Sequence, residues 1–270
     1  MPFNWIGGEV SDYLDPYDAF LSQKLVLGEP TFVCEIGVYK GGWLVNFLTN
    51  FKDVSILAID PYPNLQDVKE IFLRMVENLD LTSRVQLIAQ YDDKRNNDKF
   101  DVIHIDGEHS ERAVLNDLNF ALQNLATGGV IIVDDVWHPL FPGIISGVMK
   151  IVHSTELVPF LSTRNKMWLC KTSDYDLHFE NSLNVLRRAG ISFNIGVHSG
   201  DSIVSTNETH SYDIENAVKG HTQIQVERVS RWDQLLILGL AQTPKFVRLK
   251  RLMTQIFPPV VTKILKKLRP

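Results

Sequence analysis

The residues best placed to do chemistry are acids at the ends of apolar runs. They are Glu35 in Phe32-Val-Cys-Glu-Ile-Gly-Val-Tyr-Lys-Gly-Gly42, Asp60 in Ala58-Ile-Asp-Pro-Tyr62, Asp106 in Ile105-Asp-Gly-Glu-His-Ser110, and Asp134 and Asp135 in Ile131-Ile-Val-Asp-Asp-Val-Trp-His138. The first run turns on Gly37 and Gly41. Glycine takes backbone conformations closed to other residues and lets the chain approach a ligand, while a helix opening near Gly41 offers free N–H groups. The spacing is Glu-x-Gly-x-x-x-Gly, unlike the Gly-x-Gly-x-x-Gly of dinucleotide folds. A carboxylate beside that turn repels a pyrophosphate but pairs with an ammonium group, which fits the amino acid end of S-adenosylmethionine.

Asp60 ends the next apolar run, 25 residues beyond Glu35, where an acid can accept both ribose hydroxyls of a nucleoside. Such an acid would serve NAD equally. Tyr91, after the third run, is expected to flank an adenine ring or to belong to a solvated loop. Asp106, Asp134 and Asp135 would converge in one crevice. So much like charge calls for a divalent cation, and an all-oxygen set favours Mg²⁺, Mn²⁺ or Ca²⁺ over zinc. His109 and His138 lie just past the same tips and are candidates for substrate contact and proton removal, whereas His104 sits inside a strand and reads as a hydrogen-bonded core histidine.

These acids need a scaffold that lines up strand ends. Val54–Ile59, Val85–Ala89, Phe100–Ile105 and Val130–Val133 read as buried strands, each short and rich in Val and Ile. Helices fill the gaps, most clearly over His109–Leu125, which Thr127-Gly128-Gly129 is expected to stop. This alternation predicts a doubly wound, Rossmann-like α/β sheet with its ligands at the carboxyl ends of the strands. Leu157–Leu161 and Met167–Lys171, joined by Ser162-Thr-Arg-Asn-Lys166, predict an antiparallel hairpin. Four regions follow: an N-terminal lid or packing helix over 1–29, the main domain over 30–172, a small α+β extension over 173–243 with a polar turn at Ser199–Glu208, and a tail over 244–270.

Composition agrees with a folded enzyme. Of 270 residues 44% are hydrophobic and 22% charged, and no apolar run approaches the roughly 20 residues that span a bilayer. Nothing at the N-terminus reads as a signal peptide, so a cytoplasmic location is the expectation. Cys34 and Cys170 fall inside strands and read as buried small hydrophobes. The net charge of −5 hides an asymmetry, since residues 244–270 hold eight basic residues and no acid. That basic amphipathic tail could rest on an anionic membrane or pack on the acidic body. An acidic body without a basic, aromatic-lined channel argues against nucleic acid as a partner, and a homo-oligomer stays open.

The run Glu35–Gly42, the segment Ile105–Ser110 with Asn116-Asp117, Gly128-Gly129 and Val133-Asp-Asp135 together resemble the class I S-adenosylmethionine-dependent methyltransferases. More narrowly, they are similar to the family of macrocin O-methyltransferase and the antibiotic sugar O-methyltransferases, over roughly residues 30–172. The resemblance implies a seven-stranded sheet with a reversed last strand, S-adenosylmethionine as donor, and a divalent metal, Mg²⁺ by expectation, held by Asp106, Asp134 and Asp135. It also implies that Glu35, Gly37, Tyr39 and Gly41 line the methionine and ribose side, with Asp60 on the ribose and Tyr91 and Asp106 nearby. Glu111 departs from it, standing where the family often has an aromatic residue.

The expected function is metal-assisted O-methylation of a hydroxyl on a sugar or another small polyhydroxylated metabolite, with Asp106, His109 or His138 as general base. An NAD-dependent oxidoreductase would share strand order and Asp60, but this chain lacks the third-glycine spacing of dinucleotide folds. A non-catalytic Rossmann-like interaction module would be expected to lose its strand-end acids, and this chain keeps them.

Overall fold

Continuous apolar runs cannot leave one face in water, so the strands they form must be covered on both sides. The computed structural model describes residues 5–6, 15–91, 98–198 and 201–206. Its strands are β1 (Phe32–Ile36), β2 (Ser55–Ile59), β3 (Val85–Ile88), β4 (Phe100–Ile105), β5 (Leu125–Val133), β6 (Leu157–Ser162), β7 (Met167–Lys171), β8 (Asn194–His198) and β9 (Asp201–Ser205). They form one sheet in the order β3-β2-β1-β4-β5-β7-β6-β9-β8. Strands β1 to β5 run parallel, and β7 runs antiparallel to both β5 and β6. The expected seven-stranded sheet with its reversed strand is therefore present, and β9 and β8 lengthen it to nine strands.

The helices are α1 (Pro16–Lys24), α2 (Gly42–Asn50), α3 (Gln66–Asn78), α4 (Glu111–Asn124), α5 (Pro142–Ser154) and α6 (Tyr175–Ala189). Leu21 of α1, Phe47 of α2, Phe72 of α3 and Leu186 of α6 share one core with Val33, Val102 and Trp168. Leu118 of α4 and Val148 of α5 share another with Cys34, Ile103 and Ile131. Successive strand residues thus feed opposite cores, as the pleat requires. Both cysteines are buried free thiols, as expected.

Local chemistry sets the element ends. Asp15 accepts the Tyr17 N–H and Pro16 opens α1, Ser110 accepts the Ala113 N–H to cap α4, and Gly190 ends α6 in the left-handed conformation. Helix α4 stops at Asn124 and β5 begins at Leu125, so Thr127-Gly128-Gly129 lies in the strand instead of stopping the helix. The Ser199–Glu208 run, expected as a polar turn, contains β9, because its buried Val204 pairs with Leu161 of β6. Tail residues 244–270 lie outside the described residues, as do most of the first 14. Among the described residues no helix is long and apolar enough to cross a membrane.

Parallel register places the strand ends in one row. The Gly37 N–H donates to Ile59 O, Asp60 N–H to Ile88 O, Asp106 N–H to Ile36 O and Asp134 N–H to Ile105 O, at 2.7–3.0 Å. The reversed β7 adds to this row from the other direction. Met167 faces Val133, so the residue before β7, Lys166, arrives beside Asp134.

Helix α5 lies close on α4 because Gly147 has no side chain; a Cβ there would stand 3.0 Å from Val114 Cγ1. Gly147→Leu should therefore cost about 1–3 kcal/mol of stability through overpacking. Urea unfolding is the check, with a lowered midpoint and an unchanged slope expected.

Candidate functional site

The first half of the row is built from backbone. Gly37 has φ +83°, and a Cβ on it would stand 2.0 Å from the Asp106 carbonyl oxygen, so glycine alone lets the chain leave β1 past the end of β4. Asp60 then shapes the loop. Its Oδ2 accepts the N–H groups of Val38 and Tyr39 at 3.0 and 2.9 Å, and its Oδ1 accepts that of Tyr62 at 2.7 Å. A carboxylate has about four lone-pair sites, so Oδ1 keeps room for a ribose hydroxyl. Tyr39 and Tyr62 both have positive φ, and the Tyr62 hydroxyl donates to Tyr39 O at 2.7 Å. Such backbone costs about 1–3 kcal/mol per residue and persists where its surroundings enforce it.

Glu35 lies under this loop, 2% exposed. Its Oε1 is 3.1 Å from His104 Nδ1, and its buried Oε2 has no hydrogen-bond partner. Burial, and then the charge of Asp106, hold its carboxyl well above the usual range. A cation beside Oε2 would relieve both effects. Tyr91 stands at the far end, its ring stacked on Phe120 at 4.4 Å and its hydroxyl donating to Asp117 Oδ1 at 3.2 Å.

The second half is carboxylate and imidazole. Asp106, His109 and Asp135 each bring one ligand atom within 4.8 Å of the other two. His109 Nε2 is 3.8 Å from Asp106 Oδ1. Burial would lower the His109 ring, but the charge of Asp106 beside it, with those of Asp135 and Asp134, outweighs it and raises the ring above its ordinary value. Burial and the Asp134 charge raise the Asp106 carboxyl, an effect tempered by solvent because 39% of that side chain is exposed.

Asp134 turns away from this group. It accepts from the Lys166 ammonium, the Asn165 amide and the Asp135 N–H. Burial alone would raise its carboxyl, yet Lys166 and His104 hold it below the ordinary range. Lys166 is 1% exposed, and Asp134, Asp18 and Asp106 keep its ammonium above its ordinary value against the burial. His138 Nδ1 accepts the Leu140 N–H at 3.3 Å, and its ring stacks on Phe141 at 4.5 Å, the same ring that His109 meets at 4.1 Å. The structure thus groups Asp106 and Asp135 with His109, where three aspartates were expected together. His104 is the buried, hydrogen-bonded histidine anticipated.

Residues 34–136 match a family model described as a methyltransferase domain. Over those residues the chain is similar to a methyltransferase domain. An uncharacterized protein of Acanthamoeba polyphaga mimivirus is 26% identical over 139 residues, which are 47% of this chain. The match spans about three-fifths of that relative, 62% of its length. Among solved structures, an SAH-bound methyltransferase of Podospora anserina is similar, with 14% identity and a TM-score of 0.48 over 57% of this chain and 76% of that one. A Bacillus cereus O-methyltransferase in complex with SAH is similar at 17% identity and a TM-score of 0.47, over 58% of this chain and 82% of that one.

Sequence reasoning missed three parts of the methyltransferase domain's site. Lys166 and Asn165 come from a hairpin tip that reads as a polar turn, and Trp43 of α2, stacked on His104 at 4.3 Å, reads as a core aromatic. The signal available for Lys166 was its place just before a reversed strand, whose entry lies at the carboxyl ends of its neighbours.

Asp117 supplies a pH test of this end of the site. Burial pushes its carboxyl up to about 6, with the Tyr91 hydroxyl opposing. A folded pKa above the unfolded one means that its contribution to stability is full below about pH 4 and is lost as pH rises through about 6. Relative to Asp117→Asn, the wild type should lose up to about 3 kcal/mol between those values and change little above pH 7. Urea midpoints of both proteins from pH 4 to 8 measure this.

Proposed function

We propose that this methyltransferase domain transfers a methyl group from S-adenosylmethionine to a hydroxyl of a small polyhydroxylated acceptor such as a sugar, with a divalent cation at Asp106, His109 and Asp135. The observation that carries the donor assignment is Glu35: a buried carboxylate oxygen without a partner, beside the Gly37 turn, fits the donor's α-ammonium. The same turn disfavours a pyrophosphate. Its N–H groups at Val38 and Tyr39 are held by Asp60, and that of Gly41 by Val38 O, so these three are not offered to a phosphate.

Two carboxylates and an imidazole within 4.8 Å of one another are a donor set that suits Mg²⁺ or Mn²⁺, the nitrogen favouring Mn²⁺. When bound, such a cation would hold neighbouring acceptor hydroxyls and lower the pKa of one. The chain's own part is positioning and proton removal. An acceptor oxygen lone pair attacks the methyl carbon in line, the carbon–sulfur bond breaks, and S-adenosylhomocysteine leaves as a neutral thioether. The hydroxyl proton passes to the Asp106 carboxylate oxygen that is not offered to the cation, burial and the Asp134 charge having raised this carboxyl's affinity for protons. His138 instead holds the turn through Leu140. Trp137, two residues past Asp135 and half exposed with its indole N–H fixed on Ser162 Oγ at 2.9 Å, offers an aromatic face that suits the C–H face of a sugar ring.

Calorimetry should show micromolar binding of S-adenosylhomocysteine and none of NADH; the reverse would overturn the donor assignment. Glu35→Gln should weaken S-adenosylhomocysteine by roughly 10- to 100-fold, the worth of a charge-assisted hydrogen bond. Asp135→Asn should keep that affinity within about threefold yet abolish Mn²⁺ binding followed by electron paramagnetic resonance. Unchanged Mn²⁺ binding in Asp135→Asn would sink the cation site.

A further inference from the structure

Beneath the row of strand ends runs a second, fully buried line of polar groups. Lys166 Nζ donates to Asp134 Oδ2 and stands 3.1 Å from His104 Nε2, and His104 Nδ1 stands 3.1 Å from Glu35 Oε1. None of Glu35, His104 and Lys166 is more than 2% exposed. Register explains their meeting. Glu35 and His104 are partners in parallel β1 and β4, so both side chains leave the same face of the sheet. Trp43 covers the imidazole on that face, with 7° between the rings. Lys166 reaches the line because β7 is reversed.

The directions of these bonds are forced. An ammonium has three donors and no acceptor, so the imidazole nitrogen facing Lys166 must be unprotonated. A neutral imidazole then carries its proton on Nδ1, where it donates to Glu35 Oε1. With Oε1 tied inward, the carboxylate plane is set and Oε2 is the oxygen left without a partner.

We infer that Lys166 is a positioning residue for the donor-binding carboxylate: through His104 it fixes which oxygen of Glu35 is free to meet the ammonium of S-adenosylmethionine. The inference rests on the donor site proposed above. It assigns Lys166, which enters before β7 two strands beyond β4, to cofactor binding, although it touches no cofactor. Without Lys166, His104 Nε2 faces Asp134 Oδ2 at 3.8 Å and would take the proton to donate there. The Nδ1 lone pair would then oppose Glu35 Oε1, and the carboxylate would lose its anchor.

Two measurements on the full chain test this. In ¹⁵N-histidine-labelled protein, His104, identified by its loss in His104→Asn, should appear as the Nδ1–H tautomer and switch to Nε2–H in Lys166→Met. Because Lys166→Met leaves Asp134 buried without its partner, Lys166→Arg, another donor without an acceptor, carries the test if the single variant does not fold: it should keep the Nδ1–H tautomer, and an Nε2–H tautomer there would overturn the inference. By calorimetry, Lys166→Met should weaken S-adenosylhomocysteine about tenfold or more. Adding Lys166→Met to His104→Asn should cost no more than about threefold beyond His104→Asn itself. An Nε2–H tautomer in the wild type, wild-type affinity in Lys166→Met, or the full loss on adding Lys166→Met to His104→Asn would overturn the relay. If the wild type binds no S-adenosylhomocysteine at all, the donor reading fails, and the tautomer measurement alone still decides whether Lys166 orients His104.

Discussion

The like charge gathered at one edge of the sheet is the constraint on which the rest depends. Glu35, Asp60, Asp106, Asp134 and Asp135 follow or end four adjacent strands, β1, β2, β4 and β5. Two such charges about 4 Å apart repel by about 4 kcal/mol at an effective dielectric constant near 20. The fold answers this differently at each acid. Asp60 is spent on three backbone N–H groups, Asp134 on a buried ammonium, and Glu35 on an imidazole. Only Asp106 and Asp135 are left with His109 as an open, partly exposed group.

That allotment separates a stiff half from an open half along a single row. The half over β1 and β2 is stiff: positive-φ residues, a glycine packed against backbone, and a carboxylate bonded into the loop leave little freedom. The half over β4 and β5 is rimmed by exposed side chains, Trp137 and Leu140 among them. A shared donor needs one rigid cradle, whereas acceptors differ and are met by side chains that can be exchanged without disturbing the strands.

The reversed β7 links the two halves. A parallel strand in its place would bring its entry to the opposite edge of the sheet. Running antiparallel to β5, it delivers the hairpin tip, with Asn165 and Lys166, to the carboxyl ends of the strands. The neutralising cation of Asp134 therefore comes with the topology, and the N-terminal helix is drawn in as well, since buried Asp18 of α1 accepts from Thr163 of the same tip at 3.0 Å.

Much of this was legible in the residues. Continuous Val and Ile runs separated by helical stripes determine buried parallel strands, and acids or glycines just after those runs must sit at strand ends, because the ends are where polar groups reach solvent. Glu35, Gly37, Asp60, Asp106 and Asp135 follow from that logic, as does the hairpin that closes the seven-strand core. Which acids share a partner did not follow. Asp134 and Asp135 are neighbours in sequence, yet one faces Lys166 and the other Asp106 and His109, a choice made by strand pleat and by the positive φ of Asp135. The polar run that forms β9 was equally opaque, since Val204, the buried residue of that strand, acquires meaning only from Leu161 across the sheet. Periodicity is a local property and determined the elements and the edge they expose; pairing between residues distant in the chain is a property of register, and only the tertiary structure decided it.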